Sequence, residues 1–304
     1  MRYPIFVLAT LLAIWPGLQA QTSPQTDPAD LVKQGQKLEF SGKLEDAVDL
    51  YKRALEANPK QFDAHLGLGR VLDVQGKYVE ARQHIQKGID LAPDNGLGPA
   101  LSTMAVSFAF EGNAADAAKY YQRVFDRQVK AGAYDSAAGT ANALGRVYLE
   151  TGDVENSERW YRTGHETAMK IKNTPEQHDL WEMRLRHAQG RIAARRKQFD
   201  GAWKHVEEVR AIAARGTLDE FQRSNVPHLA GYVALYEGKL DEAIAELSKA
   251  DQEDPFILSL LAQAYERKNE PAKARELYQK ILDSPGHSLQ VAFSRPLAQT
   301  RMER

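Results

Sequence analysis

The sequence predicts an all-α fold, a solenoid of about seven antiparallel helix pairs. Three observations predict it. The phrase Gly42-Lys43-Leu44-Glu45-Asp46-Ala47-Val48 returns in conservative form as Gly238-Lys239-Leu240-Asp241-Glu242-Ala243-Ile244. Weaker copies stand between them, at intervals of 34 to 45 residues. The composition is globular, 43% hydrophobic and 27% charged, and only 13 prolines in 304 residues leave long helices uninterrupted.

The chain opens as an address. Arg2 precedes the apolar run Ile5 to Trp15, Pro16 and Gly17 break it, and Ala20 offers a small residue for cleavage. This is the layout of a secretory signal peptide, with cleavage expected after Ala20. The run is shorter than the roughly 20 residues a spanning helix needs, which argues against the alternative of an uncleaved anchor. No later segment has such a run, so the mature chain is expected to have no transmembrane segment. It is expected to be exported, to a bacterial periplasm or the extracellular space. Residues 21–27 are polar and read as a flexible lead-in.

The repeat then occupies residues 28–286. The phrase recurs as Gly76-Lys77-Tyr78-Val79-Glu80-Ala81, Gly112-Asn113-Ala114-Ala115-Asp116-Ala117 and Gly152-Asp153-Val154-Glu155-Asn156-Ser157, and degraded copies end at Ala202 and Ala274. The final small residues are Ala47, Ala81, Ala117, Ser157, Ala202, Ala243 and Ala274, spaced 34, 36, 40, 45, 41 and 31 apart. Twelve positions before each stands a small residue: Gly35, Gly69, Ala105, Gly145, Gly190, Gly231 or Ala262. Four positions after stands a mostly large one: Tyr51, Ile85, Tyr121, Tyr161, Val206, Leu247 or Tyr278. Two antiparallel helices approach closely only where side chains are small, and large residues then fill the gap toward the next pair. Gly42, Gly76, Gly112, Gly152 and Gly238 suit helix ends that need a left-handed residue.

This register resembles the tetratricopeptide repeat, over almost the whole mature chain. The resemblance implies a right-handed superhelical solenoid whose first helices line an inner groove. The first, second and sixth units match strongly. The fifth departs most, with Lys197 where the turn glycine belongs, and the family's first-helix tryptophan is nowhere in register. Spacings of 40 to 45 in the middle imply lengthened helices. Asp27-Pro28 should cap and open the first helix. Residues 287–304 are expected to form a short capping helix over the last unit, broken by Pro296.

Several chemistries are excluded. Cysteine is absent, which removes disulfides, thiolate nucleophiles and Cys-ligated metals. A balance of 40 basic and 41 acidic residues argues against nucleic acid as a partner. His165-Glu166-Thr167-Ala168-Met169 lacks the second histidine of a zinc helix. Gly67-Leu68-Gly69 lacks the third glycine of a dinucleotide loop. No catalytic residue, metal site or cofactor is expected, and the chain is not expected to be an enzyme.

The groove implied by the resemblance carries the function. Its early units offer Gln36, Glu39, Asp63, Leu66, Arg70 and Asp73, and the third Ser102, Val106 and Ala109. The middle units offer Asn142, Arg146, Arg184, His187, Arg191, Asn225, His228 and Tyr232, and the last Ser259, Gln263 and Glu266. Its centre is thus basic and its ends carry acids. Residues 184–215 hold nine Arg/Lys against three Asp/Glu. Arginine grips carboxylates and phosphates with a planar fork, and asparagine binds peptide backbone. The middle set therefore reads as a clamp for an acidic peptide or protein segment. The competing reading of Arg184 to Lys197 is a solvated basic helix balanced by neighbouring acids. The function expected is a non-catalytic interaction scaffold of the cell envelope. The alternative is a binder of glycan or anionic envelope polymer, for which Tyr232, Tyr236, Trp181 and Trp203 would supply stacking faces.

Overall fold

Asp27 accepts a hydrogen bond from the Ala29 amide, and Pro28 sits in the first turn, where its missing N–H is no loss. That starts α1 as expected in the computed structural model, which describes residues 27–303. The expected signal peptide, 1–20, lies outside the described residues, as does all of the lead-in but Asp27. The described residues form sixteen helices and no strand. They are α1 Pro28–Phe40, α2 Leu44–Ala57, α3 Phe62–Val74, α4 Tyr78–Leu91, α5 Leu97–Phe110, α6 Ala114–Lys130, α7 Tyr134–Thr151 and α8 Val154–Ala168. There follow α9 Pro175–Arg195, α10 Phe199–Ala213, α11 Glu220–Arg223, α12 Asn225–Glu237, α13 Leu240–Leu247, α14 Pro255–Arg267, α15 Pro271–Asp283 and α16 Leu289–Met302.

Seven pairs pack against one another in chain order: α1/α2, α3/α4, α5/α6, α7/α8, α9/α10, α12/α13 and α14/α15. Ala47, Ala81, Ala117, Ser157, Ala202, Ala243 and Ala274, the small residues that end the repeated phrase, are each at most 1% exposed. The small partner residues explain why. A Cβ on Gly231 would stand 2.5 Å from Leu247 Cγ, and one on Gly35 2.9 Å from the Tyr51 ring. These two pairs close only because a side chain is missing at that point. The turn glycines Gly42, Gly76, Gly112, Gly152 and Gly238 have φ of 77°, 80°, 68°, 96° and 93°.

The middle of the array departs in two ways. Its helices are longer, 17, 18 and 21 residues for α6, α7 and α9. The wide spacing after Ala202 has a second origin: Ala214 to Ser224 inserts a turn and the four-residue α11 between α10 and α12. Lys197 takes the left-handed conformation itself, at φ 58°, so the fifth pair keeps its turn without the glycine.

The C-terminal helix differs from expectation. It runs unbroken through Pro296, although the ring removes the N–H that would bond the Ala292 carbonyl. Packing at both of its ends offsets a loss of roughly 3 kcal/mol. Leu289, Val291 and Ala292 join the cluster of Val74, Ala105, Phe110 and Leu144, from α3, α5 and α7. Ala298 joins the cluster of the last pairs, with Leu297 and Met302 against it. Thus α16 caps α14 and α15 and also returns to α5 and α7 in the first half of the array.

Candidate functional site

Three first helices present one stripe each. On α7, Asn142, Arg146 and Glu150 recur every four residues and share a face. On α9, Arg184, His187, Arg191 and Arg195 do the same at spacings of three and four. Thr174 and Gln177 fix the start of α9 with a reciprocal capping box. On α12, Asn225, His228 and Tyr232 continue the pattern. The stripes meet around a chamber of about 640 Å³, lined by Asn142, Arg146, Arg184, His187, Arg191, Asn225 and His228. Seven of the eight residues read from the sequence as groove contacts therefore come together. The eighth, Tyr232, is fully buried and stands apart from the chamber lining.

The cations of the chamber divide into two kinds. Glu150 accepts from Arg195 Nη2 at 2.6 Å and lies 3.5 Å from Arg191 Nη1. Arg191 also donates to Tyr161 Oη at 2.5 Å, and Arg195 Nε donates to Tyr232 Oη at 2.7 Å. These two guanidinium groups are tied into the wall, and the Tyr232 hydroxyl is committed with them. Arg186 pairs with Glu208, and Arg196 with Glu155 and Glu158, so much of the basic helix is balanced by neighbouring acids. Arg146 and Arg184 are different. Neither has a carboxylate within ion-pair distance among the described residues. Arg146 lies 4.5 Å from the Phe256 ring centre, and its Nε and Nη2 are buried without a hydrogen bond among the described residues. Arg184 is exposed and stacks 4.6 Å over Trp181.

Between them His187 and His228 pack edge to face, ring centres 4.8 Å apart. Burial pushes both imidazoles well below the ordinary histidine range, and Arg191 and Arg146 push the same way. Both rings are therefore neutral at pH 7. Asn225 Nδ2 donates to the Gln222 carbonyl at 2.9 Å and holds α11 to α12. Asn142 fits where Gly164 lacks a side chain.

Some lining residues escaped sequence reasoning. Asp254, the N-cap of α14, lines the chamber, and burial holds its carboxyl above the ordinary range against the pull of Arg146. Phe221 and Gln222 come from the α11 insertion, and His287 to Gln290 from the link into α16. The excess spacing after Ala202 was the one signal for the insertion. In the first units the expected groove residues are spent on each other. Arg70 grips Glu39 with two bonds of 2.7 and 2.8 Å, and Tyr51 Oη donates to Glu39 at 2.6 Å. Of the aromatic faces a sugar would need, Trp181 and Tyr232 are buried and Trp203 Nε1 donates to Glu237 at 2.7 Å, while Tyr236 stacks on Tyr232 and stays exposed. His178, Asp179 and Glu182 bring metal-ligating atoms within 4.8 Å of one another. Arg215 Nη1 already donates to both acids, at 2.6 and 2.8 Å.

The family model described as tetratricopeptide repeat matches residues 32–96, 103–164 and 228–288, more than half of the chain. The chain belongs to the tetratricopeptide repeat family. The unmatched stretch between the last two segments is the fifth pair with its insertion, the part of this tetratricopeptide repeat protein that carries the basic helix. Three solved structures share the fold. A tetratricopeptide repeat protein from Parabacteroides merdae is 16% identical with a TM-score of 0.54, covering 90% of this chain and 98% of that one. The apo form of RapI is 11% identical with a TM-score of 0.58, covering 91% and 98%. PilW, a type IV pilus biogenesis factor, is 11% identical with a TM-score of 0.50, covering 73% and 91%. At such identities the likeness is one of fold alone. The human protein O-mannosyl-transferase TMTC1 is 33% identical over 63 residues, 21% of this chain and 7% of that protein's length. Tetratricopeptide repeat proteins are generally non-catalytic scaffolds for protein interaction. No helix among the described residues is long and apolar enough to cross a membrane.

Proposed function

We propose that this chain is a non-catalytic interaction scaffold of the cell envelope, exported to the bacterial periplasm or beyond. It takes a short, partly acidic segment of a protein partner into the basic centre of its concave groove. One observation carries the reading: Arg146 and Arg184 face the chamber with no acid paired to either among the described residues. A guanidinium whose nitrogens are buried without acceptors is unfavourable alone and favourable once an oxyanion arrives. Export rests on the n-, h- and c-regions of residues 1–20.

The test is capture of partners from the native envelope fraction by the wild-type chain and by Arg146→Gln/Arg184→Gln of confirmed helicity. The expected result is a protein retained by the wild type and lost by the variant. Equal retention by both would move the function to another face of the array. N-terminal sequencing of the secreted chain should begin at Gln21. A start at Met1 would sink the export part of the proposal.

A further inference from the structure

The chamber holds polar groups that the fold itself leaves without partners. His187 and His228 are each 8% exposed, yet the Nε2 atom of each is buried and makes no hydrogen bond among the described residues. The Nε and Nη2 atoms of Arg146 are in the same condition. Arg191 Nε is unpaired as well, although its Nη1 and Nη2 are tied to Glu150 and Tyr161. Buried polar groups in folded proteins are almost always paired, so a cluster of five such atoms around one space marks a ligand's position.

The charge and shape of the chamber narrow the ligand. Asp254 is the one carboxylate among its lining residues, against the unpaired Arg146 and Arg184. The ligand group is therefore an anion. Asp254 offsets one of the two unpaired guanidinium groups and the imidazoles are neutral, which suits a monoanion better than a phosphate dianion, and the guanidinium fork matches a carboxylate's two oxygens. In the Nε2–H tautomer a neutral imidazole donates to the same group. Val106, Leu180, Met183 and Leu289 face the same space with carbon, which suits an apolar body on that anion. Length is restricted as well. The C-terminal segment walls the chamber, and His287 crosses to bond Asp73 on α3, so a long extended chain has no continuous run toward the first units.

We infer that the chamber recognises a carboxylate carried on a short apolar body, with Arg146 gripping the carboxylate and the His187–His228 pair beside it. This rests on the groove reading above and names its ligand chemistry. The carboxylate has two possible sources: an acidic side chain flanked by apolar residues on a protein partner, or a free organic acid.

Calorimetric titration separates them. Hexanoate, hexanol, hexylammonium and a short blocked peptide with one glutamate between leucines are titrated into the protein. Hexanoate should bind, hexylammonium should not, and Arg146→Gln should weaken hexanoate by about tenfold or more. Should that variant fail to fold, the ring ¹⁵N signals of His187 and His228 in the wild type supply the readout, moving with hexanoate and not with hexanol. A peptide that competes with hexanoate assigns the carboxylate to a partner. Hexanoate binding with no binding of the peptide assigns it to a free acid. Hexanol binding as tightly as hexanoate, or Arg146→Gln retaining full affinity, overturns the inference. If no carboxylate probe binds while the envelope partner is still captured through Arg146 and Arg184, the inference fails and the groove reading stands. If hexanoate binds and no partner is captured, the groove reading fails in its protein partner alone.

Discussion

His287 Nε2 and Asp73 Oδ2 lie 2.8 Å apart, though 214 residues separate them in sequence. Their side chains are 3% and 0% exposed. Ser107 Oγ donates to the other Asp73 oxygen at 2.8 Å, and the Phe110 ring packs against the imidazole. The link into α16 is thereby tied to α3, across the mouth of the groove. His287→Ala would leave Asp73 in a dry site with one donor fewer. The expected loss is about 2–3 kcal/mol of unfolding free energy, read by urea titration. Amides of Leu289–Met302 should also exchange faster. A loss under about 0.5 kcal/mol would show that packing alone holds the C-terminal helix in place.

Packing predictions follow from which small residues face a neighbour. Ala243 is completely buried between α12 and α13, so Ala243→Leu should cost about 1–3 kcal/mol by overpacking. Gly201 in α10 is the opposite case: a Cβ there would meet nothing within 4 Å. Gly201→Ala should raise stability by about 0.5–1 kcal/mol, through the lower entropy of the unfolded chain. Thermal unfolding of the two variants measures both. A neutral Ala243→Leu would contradict the repeat register.

Lys197 holds φ 58°, where five of the other six pairs have a glycine and the last has Asn269. A side chain in that region costs roughly 1 kcal/mol, so Lys197→Gly should stabilise by about that amount. Gly76 provides the mirror test. Its φ is 80° with open space around it, so Gly76→Ala should destabilise by about 1 kcal/mol through backbone strain and no clash. If both substitutions move the midpoint in the same direction, strain at the turn is not the controlling term.

Local periodicity made the array legible: the small residue, the large residue and the turn glycine recur because each pair solves the same packing problem. The same periodicity placed Asn142, Arg146, Arg184, His187, Arg191, Asn225 and His228 on one lining. What it could not carry is which charges find partners. Arg191 and Arg146 look alike in sequence, yet Glu150 lies one turn beyond Arg146 on α7 and takes Arg191 and Arg195 across the pair boundary. Tyr232 has groove spacing but turns its hydroxyl to Arg195. The return of α16 is a contact between distant segments, and no short-range pattern encodes it. Pro296 suggested a break because a proline's local effect is readable and the two clusters that hold the helix are not.

His187 and His228 make stability depend on pH in a definite direction. Both are held well below the ordinary histidine value in the folded chain, first by burial and then by neighbouring positive charge. Below that value the unfolded chain takes up protons that the folded chain refuses. The unfolded state then binds more protons, so stability rises with pH from the depressed folded value up to the unfolded one and is level above it. On acidification each histidine should remove up to about 1.4 kcal/mol per pH unit within that window. Carboxylates contribute their own acid loss, so the comparison must be with His187→Gln/His228→Gln, in which those carboxylates remain. Urea unfolding at about pH 7 and about pH 5.5 should give a steeper loss for the wild type than for the variant. Equal slopes would mean that the two rings are solvated enough to titrate normally, and the burial assigned to them would be wrong.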